Sequence, residues 1–142
     1  KSNKIQIIWN KFFSQGIHPE KLMAEHNELG KKGEELARLH LKRKGYKILK
    51  TNWRFGNDEI DIIAENDDQV VFVEVKTRSS NYLGEPEIFV TKKKQRFIIR
   101  AANAYLTRYE VEQEARLDIV SIVLSADKCN IRHIERAFYP TL

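Results

Sequence analysis

The pattern of apolar and polar positions is sharpest over residues 58–78. Residues 58–65 and 70–78 are rich in Ile, Val and Phe, and Asn66-Asp67-Asp68-Gln69 supplies turn chemistry between them, so the stretch reads as a β-hairpin. Side chains alternate along a strand. That puts Val71, Val73 and Val75 on one face of the second strand and Phe72, Glu74 and Lys76 on the other. On the first strand it groups Ile60, Ile62 and Ala64 against Glu59, Asp61 and Ile63. A two- or four-residue loop centred on Asp67-Asp68 sets Asp61 opposite Glu74 and Glu59 opposite Lys76; an odd loop or a bulge shifts that register.

The rest of the chain divides around this hairpin. Ile5, Ile8, Trp9 and Phe12 form a short helical stripe, broken by Gly16 and Pro19. Residues 28–44 predict a helix ending at Gly45, with Leu29, Gly33, Leu36, Ala37, Leu39 and Leu41 on its apolar face. Residues 46–54 predict a first strand that leads into a turn at Gly56-Asn57, and residues 79–86 a polar loop. Residues 91–109 predict a second long helix with Thr91 as its N-cap and Phe97, Ile98, Ala101, Ala102, Tyr105 and Leu106 as its buried stripe. Residues 116–125 and 129–135 predict two more strands. The order α-β-β-β-α-β suits an α/β sandwich, a mixed sheet between two long helices.

Composition narrows the class. With 142 residues, 42% of them hydrophobic, the chain suits one domain with one core. No apolar run reaches the length of a membrane span and there is no signal-peptide pattern. The single Cys129 has no partner for an internal disulfide or a zinc site and reads as a half-buried strand residue. These features favour the cytoplasm. The formal net charge of +5 permits an anionic partner such as nucleic acid.

The candidate chemistry lies in the hairpin. Like charges on directly opposed residues are destabilising, so Asp61 against Glu74 serves stability poorly, and a divalent cation removes the conflict because Mg²⁺ prefers carboxylate oxygens. On the first long helix Glu34 borders the apolar face and Glu35 lies farther off; the wheel favours Glu34 by a small margin, and both are compatible with ordinary surface glutamates. Gly30 and Gly33 leave little bulk beside Glu34, which suits either a closely approaching phosphate backbone or helix packing. Lys92, Lys93, Lys94 and Arg96 crowd the start of the second helix. Cations there oppose the macrodipole, while the same helix end attracts phosphate; a nucleic-acid contact and a solvated basic face are equally good readings. Asp118 reads as structural, paired with Arg116 or a backbone amide. His18, His26, His40 and His133 show no ligand spacing.

Asp61, followed thirteen residues later by Glu74-Val75-Lys76 on the adjoining strand, resembles the PD-(D/E)XK nuclease motif. Taken together, Leu29-Gly30-Lys31-Lys32-Gly33-Glu34, Glu59-Ile60-Asp61 and Phe72-Val73-Glu74-Val75-Lys76-Thr77-Arg78 resemble the YraN family of small bacterial proteins, which are related to archaeal Holliday-junction resolvases. The resemblance runs from about Glu28 to Phe138. It departs from the family's usual Gly before Glu-Ile-Asp, which here is Asp58, a further negative charge near the site. Met23 sits where the family's proteins begin, so residues 1–22 read as an extension or a remnant of expression and residues 23–142 as one nuclease-like domain.

The resemblance implies a restriction-endonuclease-like three-layer sandwich and metal-assisted hydrolysis of phosphodiester bonds. Asp61 and Glu74 would hold Mg²⁺ or Mn²⁺ with the Val75 carbonyl, Glu34 would act directly or through water on the ion, and Lys76 would orient the attacking water or stabilise developing charge. Related nucleases often bring a Lys or Gln from the second helix, a place matched by Lys94-Gln95; Lys92, Lys93, Lys94, Gln95, Arg96 and Arg78 are the expected nucleic-acid contacts. The implied partners are DNA, branched DNA included, or another nucleic acid, and no membrane; a homodimer is compatible with this. The rivals are a nucleic-acid-binding module of the same fold with little or no turnover, and an interaction protein in which Asp61, Glu74 and Lys76 form only an ion-pair cluster.

Overall fold

The computed structural model describes residues 19–79 and 90–140, with side chains from residue 24 onward. The stripe at residues 5–12 and most of the polar loop at residues 79–86 lie outside the described residues. Helix α1 spans Pro19–Arg43, followed by β1 (Lys47–Phe55), β2 (Asp58–Asn66) and β3 (Gln69–Ser79). Helix α2 (Lys92–Arg108) then leads to β4 (Glu114–Leu124) and β5 (Cys129–Ile134). The strands lie in chain order in one sheet; β3 and β4 run parallel, and the other neighbours antiparallel. The parallel pair is joined through α2. With α1 on one face and α2 on the other, this is the three-layer α/β sandwich expected of a restriction-endonuclease-like domain.

The first helix is longer than expected. It begins at Pro19 instead of residue 28 and runs unbroken through Met23. Proline at the first helical position removes only an N–H that has no intrahelical partner. The helix ends as expected, with Gly45 at φ 92° just beyond it. Its inward line is Gly33, Ala37 and Leu41, all buried. Leu39 is 38% exposed and does not belong to the apolar face. At 100° per residue it stands farther round from that line than Glu34 does.

Gly33 answers one of the questions left open by sequence. An ideal Cβ built there would lie 1.8 Å from Thr77 Oγ1 and 2.7 Å from Thr77 Cβ, so Gly33 lets α1 press directly onto β3. Gly30, one turn earlier, has nothing within 4 Å of such a Cβ. Alanine at the two positions is therefore expected to act with opposite sign in urea denaturation. Gly33→Ala should cost about 1–3 kcal/mol by overpacking, whereas Gly30→Ala should gain about 0.5–1 kcal/mol of helix stability. Equal effects at both positions would show that the α1–β3 contact tolerates a methyl group.

The hairpin turns on Asp67 and Asp68, both at positive φ, in a two-residue loop of the kind that matches strand twist. Its ladder pairs Asn66 with Gln69, Ala64 with Val71 and Ile62 with Val73, the register required by the loop's symmetry. The ladder then stops. Glu59 does not face Lys76: it pairs across to Arg54 on β1, with Arg54 Nη2 3.6 Å from Glu59 Oε2. The expected grouping of Ile60, Ile62 and Ala64 on one face also fails. Ile60 joins Phe72, Ile98, Tyr105 and Ile119 in the core under α2, while Ile62 and Ala64 join Ala37, Leu41, Val73 and Val120 under α1. Residues two apart share a face only while the strand is regular, and the change of face falls at Asp61, where the pairing with β3 has ended.

Farther from the site, Asp118 is structural as expected. It is fully buried and accepts from Arg116, from the Arg136 backbone N–H at 3.1 Å and pairs with His133 at 2.7 Å. Cys129 is exposed, not half-buried, because it opens the short edge strand β5. Among the described residues no helix is long and apolar enough to cross a membrane.

Candidate active site

Where β2 and β3 part, two carboxylates meet. Asp61 stands one residue beyond the last ladder pair and turns its side chain toward the gap, where Oδ2 accepts the Val75 backbone N–H at 2.8 Å. This side-chain bond replaces the missing rung of the ladder. Glu74, 6% exposed, lies near enough to Asp61 for that carboxylate to act on it. Its Oε2 is buried without a hydrogen-bond partner. Burial first and the neighbouring Asp61 second push Glu74 up, to about 8, against the opposing charges of Lys94 and Lys76. Burial likewise raises Asp61, opposed chiefly by the Val75 N–H bond.

Each helix brings a residue to this gap. From α1 comes Glu34, half-buried, its proton affinity raised by burial and then by Asp61 and Glu59. Glu35 points away and pairs with Arg38 on the helix surface, so the small preference of the helical wheel corresponds to the observed geometry. From α2 comes Lys94, whose Nζ lies 3.8 Å from Glu74 Oε1. Thr91 caps this helix by accepting from the Lys94 N–H at 3.2 Å, which fixes the first turn. Lys76 follows Glu74 by two residues on the same strand, and its charge acts on Glu74.

Sequence reading missed Asn52. It sits in β1 at φ 49°, and the β1–β2 ladder passes from the Thr51–Ile62 pair to Trp53–Ile60 around it. With its amide nitrogen turned to the acids, Asn52 lies 3.2 Å from Glu34 Oε2 and 3.0 Å from Glu59 Oε1. It ties the first-helix carboxylate to β2. The available signal was an Asn in the middle of a strand, where its propensity is poor and its tolerance of left-handed backbone is high.

The other predicted residues divide. Asp58 is buried and held by Arg100 of α2 in a two-point ion pair at 2.6 and 3.0 Å, which lowers its pKa. The extra negative charge of this chain is thus matched by a cation before it reaches the acids. Lys92, Gln95 and Arg96 line a shallow groove along α2 with Arg100 and Asn103, and Gln95 donates to the Val90 carbonyl at 2.9 Å. Lys93 lies over the Phe97 ring at 5.9 Å. Of the basic cluster, Lys94 alone is paired with the carboxylates. Arg78 and Lys76 instead line an open cavity of about 450 Å³ between α1 and β3, together with His26, Gly30, Glu34 and Thr77. Among the described residues no three His, Cys, Asp or Glu side chains converge as a metal cluster.

Fold and site together define a restriction-endonuclease-like α/β sandwich with an acidic cluster where its two central antiparallel strands separate. Within that class, residues 33–122 match the model of "Uncharacterised protein family UPF0102". The chain is 47% identical over 120 residues to a UPF0102 protein of Phocaeicola vulgatus, covering 84% of this chain and 99% of the relative. It is 48% identical over 121 residues to one of Flavobacterium johnsoniae, covering 82% and 98%. The chain belongs to the UPF0102 family.

Proposed function

We propose that this protein is a metal-dependent nuclease that hydrolyses phosphodiester bonds in DNA, branched DNA included. The observation that carries the reading is the buried, unpartnered Oε2 of Glu74 beside the Asp61 carboxylate. An unsatisfied buried carboxylate oxygen is costly and gains most from a cation. The donor set fits Mg²⁺ or Mn²⁺ better than Zn²⁺, since it offers oxygen and no Cys or His. Asp61 and Glu74 would hold the ion, with the Val75 carbonyl available as a main-chain ligand. Two carboxylates without a third acidic or imidazole side chain suit Mg²⁺, which keeps several waters and takes substrate phosphate as a ligand. Such an ion supplies Lewis-acid stabilisation of charge on the phosphate.

The chain's own residues support the remaining steps. Glu34, with its raised proton affinity, is suited to take the proton of a water attacking phosphorus, as the P–O bond to the leaving strand breaks. Asn52 holds Glu34 in place. Lys76, whose charge reaches Glu74, would supply a fixed positive charge to the phosphate as charge develops there. Lys92 and Arg96 on α2 provide cations for the flanking backbone.

A second reading, a nucleic-acid-binding module with little or no turnover, has one observation in its favour: Lys94 partly offsets the charge of Glu74 without any metal. Calorimetric titration with Mn²⁺ and cleavage of a panel of linear, branched and single-stranded DNAs separate the two. Wild type is expected to bind Mn²⁺ and cut at least one substrate, Glu74→Ala to lose the binding heat, and Asp61→Ala to lose cleavage. Equal Mn²⁺ heats from wild type and Glu74→Ala would rule the metal site out. Binding of DNA without cleavage of any substrate would favour the second reading.

A further inference from the structure

Two surfaces lie near the carboxylates, one on the α2 side and one on the α1 side, and of the three acids only Glu34 lines either of them. On the α2 side runs the shallow basic groove of Lys92 and Arg96. On the α1 side lies the cavity of about 450 Å³, walled by a helix and a strand. Glu34 belongs to the cavity wall and, through Asp61, to the acidic cluster. Whatever fills the cavity is therefore next to the scissile position of the reaction proposed above, on which this inference rests.

The lining describes its occupant. Lys76 and Arg78 are cations suited to a phosphate. Leu29 and Val75 give apolar surface and His26 a planar ring, the combination that receives the face of a base. Thr77 and Glu34 add a hydroxyl and an acceptor for sugar or base edges. The volume is in the range of small-ligand sites, and a paired base inside a duplex cannot enter such a space without leaving its stack. Gly30 keeps the wall open, since a Cβ at that position meets nothing within 4 Å.

We propose that the cavity between α1 and β3 is a subsite for one unpaired nucleotide, so that the strand presented to Asp61 and Glu74 is single-stranded or frayed at that point. A duplex without such a break would use only the basic groove on α2.

The test is equilibrium binding, read by fluorescence anisotropy in EDTA so that no cleavage occurs. The probes are a short fluorescein-labelled oligothymidylate and a blunt duplex of equal length. Gly30→Phe places a ring at the cavity wall. It is expected to weaken oligothymidylate binding about tenfold, the scale of one stacked base, and to change duplex binding less than twofold. If Gly30→Phe does not melt cooperatively, Arg78→Ala on the opposite wall is expected to lose affinity for oligothymidylate selectively in the same assay. Unchanged oligothymidylate affinity, or an equal loss on both probes, overturns the subsite. The assay is independent of turnover. Selective loss in a protein whose wild type cuts nothing keeps the subsite and rejects hydrolysis; wild-type binding by Gly30→Phe in a protein that cleaves does the reverse.

Discussion

Lys76→Ala is expected to retain binding of Mn²⁺ while single-turnover cleavage at saturating DNA falls by about 10²–10³, the usual cost of removing one preorganised electrostatic donor. Two cations act on Glu74, and the structure divides their work. Lys94 lies 3.8 Å from Oε1 and exerts the larger influence, so it already serves as the neutralising partner. Lys76 lies on the same strand as Glu74, two residues on, with its ammonium not tied to that oxygen in an ion pair among the described contacts. Lysine is a compact point charge that can sit beside a phosphate. Lys94→Ala should therefore alter cation affinity, since the metal would no longer compete with a bound ammonium, and Lys76→Ala should alter the rate. Calorimetric titration with Mn²⁺ is the measurement for the first, and single-turnover cleavage at saturating Mn²⁺ for the second. A Lys76→Ala rate within a few-fold of wild type would refute its role in the transition state.

In EDTA the protein is expected to lose stability as pH rises from about 5 to 8. Glu74 is pushed up to about 8 in the folded chain, against about 4.3 for an unfolded glutamate. Below the unfolded value both states are protonated and the site contributes no penalty. Between the two values the unfolded chain has released its proton and the folded chain still binds one, so each pH unit costs up to about 1.4 kcal/mol until the folded carboxyl also ionises. Asp61 is raised and acts in the same direction. Asp58 and Asp118 are lowered; their contribution is present above the unfolded value and is lost only in acid, outside this window. Thermal melting against pH is the readout. Glu74→Gln should flatten the fall, and millimolar Mg²⁺ should oppose it by binding the ionised pair. A melting temperature independent of pH in EDTA, or an equal slope in Glu74→Gln, would show that the two carboxylates are not forced together.

Much of this site was legible from the residues because hairpins are local. A symmetric loop fixes its register, and the Ile62–Val73 pairing follows directly from Asp67-Asp68. The helical wheel also separated Glu34 from Glu35, since only the former borders the buried line of α1. The limit came one residue past Ile62. Nothing in the alternation says that the ladder stops there, that Asp61 takes the Val75 N–H in its place, or that Ile60 crosses to the other core. Those facts depend on Asn52 of the neighbouring strand and on helices packed from both sides. The basic run at the start of α2 was legible as a cluster but not as separate jobs: its geometry sends Lys94 to Glu74, Lys93 onto Phe97 and Lys92 to the outer groove. Asp58 looked like an added charge near the site only because Arg100 lies far along the chain.

The left-handed backbone of Asn52 has a consequence for how the molecule behaves in company. Among the described residues strand β1 is an edge of the sheet, with no neighbour beyond it. An unpaired edge offers its row of N–H and C=O groups to any extended chain, which is the route to strand addition and aggregation. Asn52 interrupts that row near the middle of β1, and Lys47, Lys50 and Arg54 place charges along the same strand. The residue that brings an amide to Glu34 and Glu59 also spoils this edge as a template for a second copy.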